Sequence, residues 1–274
     1  MKILVATDLS IRADRAVARA FDLAGRLGGS VLALHTTDDS LPEEMAERLR
    51  ADAEARLSRF DAAQKGAGEV ANEARAVIGE PSDVIAETAE REGADLLVLG
   101  LHRPRFLADM VRETTMERIT RRSPCPVLMV RDPADHPYGT LLAAVDFAPA
   151  STDALQLGAR LAPGATIKAL HVVHVPYHRF TAPAGQSDAS APFLKEARAT
   201  RERWAADTAL PEGMPEVEIR EGAAESTILQ EVSRLGANLL CVGAHGRVGG
   251  ARALMGSIAN DMMRAPPCDL LIAH

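Results

Sequence analysis

The sequence predicts an α/β protein with two similar domains, each built on a five-stranded parallel sheet and packed together as an internal pseudo-dimer. Two observations lead to this fold class. Short apolar runs with the character of buried strands alternate with longer helical segments, which is typical of parallel sheets covered by helices on both faces. The same order of segments then occurs a second time, roughly 140 residues further along the chain.

The internal repeat is defined by residues that recur at a nearly constant spacing. Gly100 and Gly243 are 143 positions apart, whereas Asp8 and Asp146 are 138 positions apart. The difference indicates an insertion in the second copy, between its first strand and its later segments. A stretch rich in Pro, Gly, Ser and Ala, residues 181–192, is the predicted place for it.

The repeat divides the chain into predicted domains 1–132 and 138–274, joined by a short segment that contains two prolines. Each domain is expected to follow the order strand, helix, strand, long helix, strand, helix, strand, helix, strand. Apolar runs mark the strands, and 3.6-residue periodicity or Ala/Glu/Arg-rich composition marks the helices. In the first domain the predicted strands are Ile3–Thr7, Val31–Leu34, Glu73–Val77, Leu96–Leu99 and Val127–Val130, and three predicted helices are Arg12–Leu27, Glu43–Ala63 and one capped by Ser82 and Asp83 that ends near Glu92.

The composition excludes several classes of function. The formal net charge of the 274 residues is −7, and no block of Lys and Arg stands out, so neither nucleic acid nor a membrane is an expected partner. No apolar run approaches the roughly 20 residues that a transmembrane helix needs. The three cysteines form no C-x-x-C pair, and the first residues lack the apolar run of a secretion signal. Together these features predict a cytoplasmic protein.

A glycine-rich loop in the second half is the main candidate for a binding site. Gly243, Gly246, Gly256 and Ser257 form the pattern G-x2-G-x9-G-S directly after a predicted strand. Glycines allow backbone N–H groups to approach a polyphosphate closely, and the serine hydroxyl adds a further donor at a helix start. The pattern therefore predicts phosphate binding, although a tight turn without ligand would also use these residue types.

The first half keeps the spacing of this loop but not its glycines. Arg103 stands at the position of Gly246, Glu113 at that of Gly256, and Thr114 at that of Ser257. Pro104 also removes a backbone N–H. Added side-chain bulk and a carboxylate would both oppose phosphate, so we expect phosphate binding in the second domain only.

The motifs resemble those of the universal stress proteins, and the resemblance extends over nearly the whole chain in the tandem, two-domain form. It rests on an Asp at the end of the first strand, the G-x2-G-x9-G-S loop and a final strand that follows Pro-Cys. The resemblance implies a Rossmann-like nucleotide-binding fold, ATP as ligand with or without Mg²⁺ or Mn²⁺, and a regulatory role in the stress response. The nucleotide-binding residues that it implies are Asp146 and Val172 at the adenine or ribose, Val242 and Gly243 at the ribose and first phosphate, and Gly246, Gly256 and Ser257 along the phosphates.

Two other functions stay open from the sequence. One is a slow, metal-dependent ATP hydrolase, although the loop lacks a Lys to stabilise a departing phosphoryl group, and no catalytic residue is assigned. The other is a nucleotide-free interaction scaffold. A homodimer, an unidentified protein partner and metal binding by His171, His174 and His178 are also left open, since the spacing of these histidines is not a standard ligand pattern.

Overall fold

The protein is an α/β molecule whose computed structural model describes residues 1–11, 13–64, 68–101, 114–174, 190–246 and 255–274. The chain divides into two compact units. The first consists of Met1–Pro137 with the short segment Asp269–Leu271, and the second consists of Tyr138–Cys268 with Ile272–His274.

The first unit contains a parallel sheet of five strands in the order β3-β2-β1-β4-β5. The strand order reverses between β1 and β4, so the carboxyl ends of these two strands are neighbours at the edge where such sheets bind ligands. Strands and helices alternate as predicted: β1 (Lys2–Ala6), α1 (Ala13–Leu27), β2 (Ser30–Thr37), α2 (Glu43–Ala62), β3 (Ala71–Ile78), α3 (Pro81–Glu92), β4 (Leu96–Gly100), α4 (Thr115–Arg122) and β5 (Val127–Val130).

The second half of the chain repeats this arrangement, with strands in the order β8-β7-β6-β9-β10 and parallel pairing of β6 with β7 and β9, and of β7 with β8. Its switch point lies between β6 and β9, the counterparts of β1 and β4. The elements are β6 (Thr140–Ala144), α5 (Pro149–Leu161), β7 (Thr166–Val173), α6 (Ala191–Asp207), β8 (Glu218–Glu221), α7 (Ala224–Leu235), β9 (Leu239–Gly243), α8 (Ser257–Arg264) and β10 (Asp269–Ala273).

The central strands of both units form the core. Ile3–Val5 in β1 and Leu96–Leu99 in β4 are buried, as are Leu141–Ala143 in β6 and Leu239–Val242 in β9. Such continuous apolar runs are needed because helices cover both faces of a parallel sheet. The three cysteines, Cys125, Cys241 and Cys268, are free thiols buried in this core.

The start of α3 differs in detail from the prediction. The N-cap residue is Glu80, and Ser82 and Asp83 lie within the first turn. Pro81 takes the first helical position, where a missing N–H costs no hydrogen bond. The Glu80 carboxylate accepts hydrogen bonds from the Ser82 hydroxyl at 2.5 Å and from the Asp83 amide at 3.1 Å.

The segment after β5 is held against α1. The guanidinium of Arg19, which is 3% exposed, donates to the carbonyl oxygens of His136 at 3.0 Å and Pro133 at 3.2 Å. Arg15 donates to the carbonyl of Arg131 at 2.7 Å. These bonds fix the end of the first unit more firmly than its two prolines alone would.

Within the part of the chain that the structure describes, no helix is long and apolar enough to cross a membrane.

Candidate functional site

The residues predicted to bind nucleotide lie at the carboxyl ends of three neighbouring strands of the second unit. Asp146 follows β6, Val172 lies near the end of β7, and β9 ends at Gly243. In parallel α/β sheets, ligands bind at this edge where the strand order reverses. Val242 is buried in β9, while Gly256 and Ser257 stand at the start of α8.

Gly243 is required by the close approach of α5. A Cβ atom at Gly243 would lie 2.7 Å from the backbone nitrogen of Ser151 and 3.0 Å from the carbonyl carbon of Ala150. Backbone atoms cannot yield as a flexible side chain can. The absence of a side chain here therefore allows the first turn of α5 to pack against the end of β9.

Gly246 and Gly256 close the loop next to Asp146. A Cβ atom at Gly246 would lie 3.2 Å from Oδ2 of Asp146, and one at Gly256 would lie 3.9 Å from the backbone nitrogen of Gly246. The amide of Gly256 donates to the carbonyl of Ala244 at 2.7 Å. The structure thus brings the acidic residue and both loop glycines together, at positions where side chains would reduce the available space.

The carboxylate of Asp146 is held by the residues that follow it. Its Oδ1 accepts hydrogen bonds from the Ala148 amide at 3.0 Å and from the Ser151 hydroxyl at 2.7 Å. Ser151 was not among the predicted site residues. Its position five residues after the aspartate is not a recognised motif, and its role depends on how α5 packs on the sheet.

Within the described residues, no side chain caps the N-terminus of α8. Its N-cap residue is Gly256, the first turn carries no acidic residue, and the first helical residue, Ser257, is exposed. The first N–H groups of a helix carry partial positive charge and have no partner within the helix. This helix start can therefore accept an anion such as a phosphate group.

The corresponding helix start in the first unit is satisfied internally. Thr114 is the N-cap of α4, and its hydroxyl accepts a hydrogen bond from the Glu117 amide at 3.1 Å. The Glu117 carboxylate accepts one from the Thr114 amide at 2.7 Å and is buried. This reciprocal capping box supplies a carboxylate where α8 has none. The sequence signal for this cap is the pattern Thr-x-x-Glu at residues 114–117. Arg103, Pro104 and Glu113, on which the prediction relied, lie outside the described residues.

An aromatic cluster stabilises the loop that follows Asp146. Phe147 has a φ of 66°, in the left-handed backbone region that residues other than glycine rarely adopt. Its ring centroid lies 4.5 Å from that of His171 and 5.4 Å from that of Trp204. The indole N–H of Trp204 donates to the Thr152 hydroxyl at 2.8 Å. These contacts hold Phe147 in place beside the strand that carries Val172.

His171 has a structural hydrogen bond that also occurs in the first unit. Its Nδ1 lies 2.7 Å from the carbonyl oxygen of Val145, as Nδ1 of His35 lies 2.9 Å from that of Thr7. Because a carbonyl oxygen only accepts, Nδ1 must carry the hydrogen in both cases. Of the other histidines considered for a metal, His174 is exposed and His178 lies outside the described residues, within which no group of three or more His, Cys, Asp or Glu side chains could hold a metal ion.

Comparisons with known sequences point to one family. The model of the universal stress protein family matches this chain twice, over residues 1–131 and 137–274. A universal stress protein of Thermus aquaticus is 30% identical over 134 residues, which are 47% of this chain and 97% of that protein. One of Methanocaldococcus jannaschii is 28% identical over 141 residues, which are 48% of this chain and 82% of that protein.

Solved structures with the same fold match this chain over both of its units. A universal stress protein from Archaeoglobus fulgidus aligns with a TM-score of 0.73 and 17% identity, over 99% of this chain and 97% of its own. A putative universal stress protein from Pseudomonas aeruginosa aligns with a TM-score of 0.64 and 21% identity, over 99% and 92%. At these identities the likeness concerns the fold.

Proposed function

Since this chain belongs to the universal stress protein family and contains the family's domain twice, we propose that its second domain binds ATP and acts as a regulatory module in the stress response. The binding domain is 138–274, with the intact glycine loop, and the domain 1–132 carries the altered loop. Asp146 and Val172 would hold the nucleoside end, and the glycine loop with Ser257 the phosphates. Binding changes the population of loop conformations that a protein partner could recognise, which needs no bond cleavage.

One observation supports this proposal above the others. Gly246 is a neighbour of both Asp146 and Gly256, and Gly256 is the N-cap of α8, at which the described residues supply no side-chain cap. The glycine positions leave room where a Cβ would contact Asp146 Oδ2 or the backbone of the loop. A site with the amides of a helix start for phosphate and a carboxylate for hydroxyl or amino donors matches the two ends of a nucleotide.

The proposal predicts a single nucleotide per chain. In the first domain, the Glu117 carboxylate lies at the helix start that corresponds to the proposed phosphate site. A bound phosphate there would have to displace a carboxylate that is hydrogen-bonded and buried, or share the site with it at the cost of charge repulsion.

Calorimetric titration of ATP tests the assignment. The wild type is expected to bind one ATP per chain. The double variant Gly246→Arg with Gly256→Glu, which copies the residues of the first domain, is expected to bind at least roughly 100-fold more weakly because it adds bulk and a repelling carboxylate. Gly139→Ala is the matched control, since a Cβ there meets no atom within 4 Å. Wild-type affinity in the double variant, or two ATP per chain, would contradict the proposal.

A further inference from the structure

Ser151 is a buried polar residue whose hydrogen bonds all serve one loop. It lies in the first turn of α5 and is 3% exposed. Its hydroxyl lies 2.7 Å from Oδ1 of Asp146 and 3.0 Å from the carbonyl oxygen of Ala148, and it accepts a hydrogen bond from the Asp146 amide at 3.3 Å. One side chain therefore contacts both the backbone and the carboxylate of Asp146.

The position of Ser151 depends on Gly243. With a side chain at residue 243, the backbone nitrogen of Ser151 could not remain where it is, because a Cβ would lie only 2.7 Å away. The loop glycine therefore has a second effect besides leaving room for phosphate. It allows α5 to bring the Ser151 hydroxyl to the aspartate.

These bonds orient the two oxygens of Asp146 differently. Oδ1 accepts from Ser151 and from the amide of Ala148, whereas Oδ2 is the atom that faces Gly246. A carboxylate whose first oxygen is saturated in this way cannot rotate without losing both bonds. Oδ2 is thus held at the mouth of the glycine loop as an acceptor.

The first domain lacks this arrangement. At the offset that relates Asp8 to Asp146, the counterpart of Ser151 is Ala13, which has no hydroxyl. Asp8 accepts from the Ser10 amide at 3.0 Å and is exposed, whereas Asp146 is partly buried. The two domains therefore differ at the aspartate as well as at the glycine loop.

We propose that Ser151 is a positioning residue for the nucleotide. It fixes Asp146 so that Oδ2 accepts a hydrogen bond from a hydroxyl or amino group at the nucleoside end of the ligand. This inference rests on the proposed function, and it assigns part of the affinity to a residue that does not touch the ligand.

A double-mutant cycle on the full-length chain tests this role. ATP affinity is measured by displacement of a fluorescent ATP analogue, up to millimolar ATP, for the wild type, Ser151→Ala, Asp146→Ala and the double variant. Ser151→Ala is expected to weaken binding about tenfold, the size of one well-placed hydrogen bond to a charged group. In the Asp146→Ala background the same change is expected to have less than about a twofold effect, because no carboxylate remains to be positioned.

Ser226→Ala is the matched control. It removes a hydroxyl from the first turn of α7, where that hydroxyl donates to the carbonyl three residues earlier, as Ser151 does to Ala148, but far along the chain from Asp146. Melting temperatures of all variants show whether α5 stays folded. Equal ATP affinity in Ser151→Ala and the wild type would overturn the inference, as would an equal loss in both backgrounds, which indicates a general structural role. Failure of the wild type itself to bind ATP would instead overturn the proposed function.

Discussion

At the scale of single residues, the buried carboxyl group of Asp61 leads to a specific prediction about how stability depends on pH. Asp61, near the end of α2, is 1% exposed, and among the described residues neither of its carboxylate oxygens has a hydrogen-bond partner. Burial in apolar surroundings disfavours the charged form and raises the pKa of this carboxyl from its ordinary 3.8 to about 7. The cost of keeping this group inside the first unit therefore depends on pH.

We expect the free energy of unfolding to fall as the pH rises from about 4 to about 7 because of Asp61. Below pH 4 both states hold the proton; above it the unfolded chain releases the proton while the folded chain retains it up to about pH 7. The effect amounts to roughly 4 kcal/mol and is constant above pH 7. In urea titrations, Asp61→Asn should gain stability relative to the wild type over this range. A difference that does not vary with pH would contradict the assignment.

Gly158 in α5 allows a second prediction at this scale. A Cβ there would clash with the sulfur of Cys241 and would lie 2.8 Å from Cδ1 of Leu141. Gly158→Ala should therefore destabilise the second unit by about 1–3 kcal/mol, even though alanine is the better helix former. Chemical denaturation measures the change. Gly139→Ala, at an open position, should leave the stability within about 0.5 kcal/mol of the wild type; a stabilised Gly158→Ala would show that the core is less tightly packed.

At the scale of helices and strands, the order of elements was predictable because each strand is a short apolar run between helical segments. The first and last residues of each element were harder to predict. The apolar run of β2 ends at Leu34, yet the strand continues to Thr37 because His35, Thr36 and Thr37 keep pairing with β3. Hydrogen-bonded pairing with a neighbour is a property of the assembled sheet, which the apolar pattern of one segment does not contain.

The assignment of the candidate site stays a prediction. Its glycine loop and Asp146 could be proposed from spacing and from the family resemblance, because these features are local in the sequence. The roles of Ser151 and Glu117 arise from contacts within the folded sheet edge and the helix cap. Ser151 acts through the packing of α5 against Gly243, which no local pattern indicates.

The capping box of α4 provides a prediction for an element. Glu117→Ala removes the acceptor for the Thr114 amide and should destabilise the first unit by about 1 kcal/mol. Glu117→Gln retains an acceptor and should lose less. Comparing both by thermal denaturation separates the hydrogen bond from the charge. Equal losses would show that the negative charge at the helix start, rather than the bond, provides the stability.

At the scale of the whole molecule, two copies of one fold have diverged at corresponding positions. Both keep the left-handed residue after the first aspartate, Leu9 and Phe147, and the histidine that binds the carbonyl at the end of the first strand. They differ in the serine that holds the aspartate and in the helix cap. The shared features support the sheet edge, whereas the differing ones surround the proposed ligand.

Hydrogen–deuterium exchange can test, over the whole chain, whether ATP binds to the second domain and not to the first. Saturating ATP is expected to slow amide exchange in the segment from Asp146 to the start of α5 and in the first turn of α8, while the equivalent segments after β1 and at α4 stay unchanged. A ligand that binds only the native state stabilises it by about 2.7 kcal/mol at 100 times the dissociation constant. Protection confined to the first domain would reverse the assignment of the two domains.

The buried cysteines have a practical consequence for experiments. Because burial raises the pKa of both the Cys125 and Cys241 thiols, neither forms the reactive thiolate readily in the native chain. A maleimide reagent should then modify the wild type only as fast as its sheets open. The rate of alkylation therefore reports the rate of unfolding. For the same reason a cysteine introduced on an outer helix face, for example at Ser226, would accept a fluorophore selectively without removing any natural thiol.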